Sequence, residues 1–91
     1  MAKTENDLTI DRDWQDLVAT YPGLGGAGAY VQNKSFYTDR HLLVVFSPSA
    51  VAPTERNGLR LPAGEVAQGT ADHIWVRAYH DDVLISCGST D

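Results

Sequence analysis

Cysteine is almost missing from this 91-residue chain: Cys87 stands alone, so no disulfide can staple the fold within one subunit. Basic residues are scarce as well. Seven Lys and Arg face twelve Asp and Glu, a net charge of −5, and the cations are scattered singly rather than gathered in a stripe. A surface that tracks phosphates needs the opposite sign, so nucleic acid is excluded as an expected partner. Long apolar runs are absent too, since the longest, Leu42 to Phe46, falls far short of a bilayer span. The opening residues, MAKTENDLTI, are polar and lack the apolar stretch of a secretion signal. The expectation is a soluble protein made in a cytoplasm, its one thiol kept reduced, with no membrane contact.

Hydrophobic residues make up 43% of the chain, ordinary for a globular protein and too many for a disordered one. At this length there is room for one domain with one core. A domain this small is marginally stable on its own. With disulfides unavailable, oligomerisation or attachment to a larger assembly remains as support.

Residues 1–10 are charged and polar and read as an N-terminal arm, leaving 11–91 as a single β domain. Trp14, Leu17, Val18 and Tyr21 fall at helical spacing after Asp11 and Asp13, yet the same residues could form a strand ending at Pro22. That choice stays open, with strand slightly favoured. From Ala29 onward the signals are β. AYVQN alternates, KSFYTDR reads as a turn or hairpin connection, and HLLVVFS, apolar on both faces, reads as the most buried strand. PSAVAPTERNG is a long loop closing at Asn57-Gly58, LRL a short strand, PAGE a turn and GTAD a further loop.

HIWVRAY and VLISC flank HDD and together read as a hairpin. Pairing Ala78 with Val83 sets Val76 against Ile85 and Ile74 against Cys87, all on one face as a buried face demands. Trp75, Arg77 and Tyr79 then share the other face with Leu84 and Ser86. Short strands with turn signals between them predict an all-β fold: a small antiparallel sandwich or barrel of about six to eight short strands with a flexible arm.

GLGGAG (Gly23–Gly28) spells the G-x-G-x-x-G of a dinucleotide loop. Such a loop needs a strand before it, a helix after it, and an acidic residue about twenty positions on. Here a strand pattern follows, and Leu42 to Phe46 occupy the place of the acid. The glycines read as a tight connector, and no cofactor is expected. His73, His80 and Cys87 are evenly spaced but lack any C-x-x-C or H-x-x-x-H pair, and His41 stands apart, so no metal site is assigned. Asp81 and Asp82 read as solvated turn residues. Ser47, Ser49 and Ser86 have no nucleophile context, and Cys87 reads as a small buried hydrophobe. No catalytic residue is assigned, and the expectation is a protein that is not an enzyme.

The row Trp75, Arg77, Tyr79 is the candidate protein interface, because these residue types dominate contact hot spots. The competing reading packs the row against a second sheet of the same domain, with Arg77 at its rim. Both faces of the proposed hairpin are apolar, and one small domain can hardly cover both. That tilts the expectation toward a homo-oligomer.

At AYVQNKS, LLVVFSPSA, GLRLPAGE and HIWVRAYHDDVLIS the chain resembles small virion structural proteins of tailed bacteriophages. The likeness runs from about Trp14 to Ser86 and is a pattern of strands and turns. It implies a homo-oligomeric β-sandwich, with a trimer as one option, that binds other virion proteins, capsid or tail subunits. Such a protein is assembled in the bacterial host cytoplasm and ends in the virion. A head decoration or cement role is the first expectation. A tail- or fibre-associated module for receptor or carbohydrate binding, stacking sugars on Trp75 and Tyr79, is the alternative.

Overall fold

The computed structural model describes residues 3–26, 28–53 and 58–90. Two antiparallel sheets pack face to face, which places the chain among small all-β sandwiches. In chain order the strands are β1 (Lys3–Thr4), β2 (Leu8–Ile10), β3 (Gln15–Asp16), β4 (Gly28–Asn33), β5 (Leu42–Ser47), β6 (Leu59–Leu61), β7 (Val66–Thr70), β8 (His73–Ala78) and β9 (Val83–Ser89). The first sheet, A, runs β1-β9-β4-β7, with β2 continuing beside β9. The second, B, runs β3-β8-β5-β6.

Alternation decides which side chains meet between the sheets. Val44 pairs with Val76 and Leu42 with Ala78 in sheet B, while Val31 pairs with Cys87 in sheet A, and all six are essentially sealed from solvent. Ile74, Val83 and Ile85 complete this layer at 0% exposure. Leu42 to Phe46 is the heart of sheet B, in keeping with its apolar run.

The expected hairpin of the last two strands does not form. β8 belongs to sheet B and β9 to sheet A, so residues 79–82 arch from one sheet to the other. Val76 therefore faces Gln15 and Val44 within its sheet, not Ile85. The six residues grouped on one face do share the core, because they meet across the sandwich. The KSFYTDR segment is likewise an arch from β4 in sheet A to β5 in sheet B. β7 occupies VAQGT, whose last two residues were expected in a loop.

Residues 3–10, expected as an arm, supply β1 and β2 along β9, and Ile10 is fully buried in the core. Within Trp14–Tyr21 both readings are realised in part: β3 is followed directly by a short helix, α1 (Leu17–Thr20). The switch occurs at Asp16, which is extended and caps the helix through its Oδ1, accepting from the Val18 N–H at 3.0 Å.

One buried polar residue ties the connections together. Asn33, at 0% exposure, donates from Nδ2 to the Arg40 carbonyl (2.7 Å) and the Leu61 carbonyl (2.9 Å). Its Oδ1 accepts from the Ser35 N–H at 3.0 Å. Its backbone N–H donates to Glu65 (3.1 Å) and its carbonyl accepts from Gly64 (2.7 Å), where a φ of 91° suits glycine.

Candidate functional site

The outer faces of the two sheets differ in chemistry. Sheet A turns Tyr30, Gln32, Gln68 and Thr70 outward, a mostly polar surface with Val66 at its margin. Sheet B turns Leu43, Val45, Arg60, Trp75 and Arg77 outward, with Asp16 and His73 at one end. Trp75 and Arg77 thus do share a face as their spacing requires, and Tyr79 follows them at the start of the arch. The second sheet packs on the opposite, aliphatic face, so the reading in which it covers this row does not hold.

Three contacts organise the row. Trp75 pairs laterally with Val45, and its Nε1–H donates to the Ser49 carbonyl at 3.0 Å. The segment after β5 folds over the indole, leaving it 9% exposed. That segment is internally braced, because the Ser47 hydroxyl accepts from the Ser49 N–H and the Ser49 hydroxyl accepts from the Val51 N–H. Arg77 lies with its guanidinium carbon 5.8 Å from the Trp14 ring centre, and Arg60 lies 5.8 Å from that of Tyr79. Leu43 sits directly between these two arginines in the strand pairing and is 2% exposed, with their aliphatic stems available to shelter it. Tyr79 also meets the edges of His41 and His80.

At one end of this face His73 donates from Nδ1 to Asp16 Oδ2 at 2.7 Å. Asp16 Oδ1 also accepts the Ile74 N–H at 3.2 Å, so one carboxylate fastens β3, α1 and β8 together. His80 lies in the arch and Cys87 in the core, far apart in role. Burial pushes the Cys87 thiol up from its ordinary 9.0 to about 11, with Glu5 and Asp7 adding smaller pushes in the same direction, which opposes a nucleophilic thiolate. Among the described residues no three His, Cys, Asp or Glu side chains stand together as metal ligands would.

The glycine run leads from a 3₁₀ turn at Pro22–Leu24 into β4, a strand and not a helix. Gly26 takes φ 73°, and Gly25 lies so close to Val18 that a Cβ there would approach its Cγ1 to 2.9 Å. The adjoining cleft, about 240 Å³, is bordered by Glu5, a charge that repels pyrophosphate. These glycines serve a turn and a close approach.

Sequence reasoning missed two aromatics. Phe36 (93% exposed) and Tyr37 (66%) project from the arch between β4 and β5, with Arg40 placed 5.3 Å from the Tyr37 ring centre. The signal was present, as two adjacent aromatics inside an otherwise polar turn.

The architecture and this face define the class: a small antiparallel β-sandwich with one mostly polar outer face and one built of Trp, Arg and aliphatic residues. No protein-family description fits the chain, and no curated protein or solved structure is detectably similar to it.

Proposed function

We propose that the protein is a non-enzymatic structural component of a tailed-bacteriophage particle, a head decoration or cement protein that bridges neighbouring capsid subunits. The observation that carries the reading is the outer face of sheet B. Arg60, Arg77 and Tyr79 border it, residue types suited to protein contacts, while the outer face of sheet A is mostly polar. The exposed Phe36 and Tyr37 supply further apolar area that a neighbour would cover. The motif resemblance between Trp14 and Ser86 supplies the kind of assembly. Each copy would add a modest contact, and many copies bound to the assembled shell would shift its stability by mass action. The tail-module alternative loses its main platform, since the Trp75 indole is held beneath its own loop and presents no open ring to a sugar.

Arg77→Glu tests the reading. The side chain is only half-buried and its ring contact with Trp14 contributes about 0.5–1 kcal/mol, so the domain should stay folded. Binding to phage heads stripped of the protein should weaken by about thirtyfold, the equivalent of about 2 kcal/mol, read by co-sedimentation. Unchanged particle binding by a folded variant would remove the face from the proposal. Mass-spectrometric stoichiometry of particles separates a head role, with many copies, from a tail role with few.

A further inference from the structure

We propose that β7 is a self-association edge, on which a second copy of this chain adds its own β7 antiparallel about a two-fold axis at Gln68. The inference rests on the virion reading above, to which the homo-oligomer expected from the sequence belongs, and names the surface of that oligomer. β7 closes one side of sheet A, with β4 on its inner side and, among the described residues, no strand beyond it. The other sheet margins are guarded in the usual ways. β6 carries Arg60 at its centre, β1 and β3 are two residues each, and β2 is only three. β7 has five residues, Val66–Thr70, with neither charge nor proline.

The phase of its backbone is set by its neighbours. Asn33 donates to the Glu65 carbonyl, and the Gly26 N–H donates to the Ala71 carbonyl at 2.8 Å. The Gly28 carbonyl, by contrast, turns the other way, toward Thr90 beside β9. Alternation then directs the N–H and C=O groups of Ala67 and Gly69 toward β4, and those of Val66, Gln68 and Thr70 outward. A two-fold axis at Gln68 matches this phase. Gln68 meets Gln68 of the partner subunit, and Val66 meets Thr70 of the partner subunit on both sides, each facing pair exchanging two backbone hydrogen bonds.

The side chains are self-complementary in that register. Val66, Gln68 and Thr70 are all exposed on the outer face, giving β-branched residues opposite one another and amide opposite amide. On the inner face Ala67 and Gly69 are small, and the Phe46 ring already fills the space above Gly69, where a Cβ would come within 3.0 Å of it. β6 stands over β7 on the same side of the sandwich, so the axis also brings Leu59, 55% exposed, toward its counterpart. The uncharged strand matters because each copy carries −5: along Val66–Thr70 two copies pair without like charges facing each other.

The test uses the whole chain in sedimentation equilibrium from micromolar to millimolar concentration, beside amide exchange of β7. The parent should self-associate, more strongly as salt screens the net charge, and the Val66, Gln68 and Thr70 amides should slow as concentration rises. Gln68→Lys sets like charges opposite each other on an exposed face and should weaken association at least about tenfold with the fold intact by circular dichroism. Thr70→Lys is the second variant should the first fail to fold. Gln32→Lys, on the same outer face but inside the sheet, should leave association unchanged. A parent that stays monomeric throughout overturns the proposal and leaves the edge to a strand of another protein. So does a dimer whose β7 amides do not slow, or one that folded Gln68→Lys or Thr70→Lys leaves unweakened. Particle binding is scored separately by co-sedimentation, so the dimer and the virion reading can fail independently.

Discussion

Replacing Asn33 by leucine removes three side-chain hydrogen bonds at a position with 0% exposure while roughly keeping its size. The Leu61 carbonyl is enclosed and would lose its partner without access to water, which costs about 2 kcal/mol. The Arg40 carbonyl and the Ser35 N–H lie in part-buried surroundings where water can substitute, at about 0.5–1 kcal/mol each. The sum is about 3 kcal/mol, of which an apolar leucine recovers about 1 kcal/mol by its own burial. For a domain of this size the net loss lowers the melting temperature by roughly 10 °C. Circular dichroism melting measures it directly. Gln32→Leu is the comparator: its Nε2 reaches the Gly64 carbonyl only at 3.5 Å and at the surface, so its melting should stay near the parent's. Asn33→Asp adds a signature in pH. The new carboxylate would face two carbonyl oxygens, so its folded pKa is raised above the unfolded value of about 3.9. The variant is then least destabilised below that value and loses stability as pH rises through the raised one. Asn33→Leu melting within about 3 °C of the parent would refute the claim that this side chain pins the arches.

Trp75→Phe keeps the buried ring but deletes the donor to the Ser49 carbonyl, at a cost of about 1 kcal/mol, and should speed amide exchange and proteolysis in residues 48–53. Unaltered protection of that segment would show that the indole does not hold it. For Cys87, the folded pKa of about 11 exceeds the ordinary 9.0, so its contribution to stability is complete below 9.0 and is lost as pH rises through about 11. Iodoacetamide near neutral pH should therefore label Cys87 only as fast as the fold opens, and rapid labelling of the native protein would contradict its sealed position.

Strand content was legible from two signals: period-two alternation in Ala29–Asn33, which reports directly which side chains point inward, and the apolar run Leu42–Phe46, which marks a strand buried on both faces. The same signals could not report partners. Ile74, Val76 and Ala78 bury against Val83, Ile85 and Cys87 whether the strands pair in one sheet or oppose each other across two, and the hairpin was misread on that ambiguity. β7 escaped notice since VAQGT holds only two good strand formers. Its glycine is required by Phe46, a residue distant in the chain. The polar opening segment concealed two edge strands, for an edge exposes most of its side chains, and here Ile10 is fully buried while Leu8 packs partly against the core. At the candidate site, the common face of Trp75 and Arg77 was readable from spacing. Its lid at Ser49 and its neighbours Trp14 and Arg60 were not, because each arrives from another strand or loop.

The chain changes sheets at nearly every step, staying within one only between β1 and β2 and between β5 and β6. Of these, β5 and β6 alone are both consecutive and paired. An inner strand of sheet A is moreover β9, the last of the nine along the chain, on which β1 and β2 depend and against which β4 completes its pairing. During synthesis those three strands wait, unpaired with β9, until Val83–Ser89 emerges, so the domain cannot mature piecemeal as it is translated. Loop closure between such distant segments is slow, which places folding in the range of milliseconds to seconds typical of sandwiches. A cell making many copies at once would hold a standing pool of chains with open edges and exposed valines, and its chaperone capacity, more than the finished protein's stability, would set the yield.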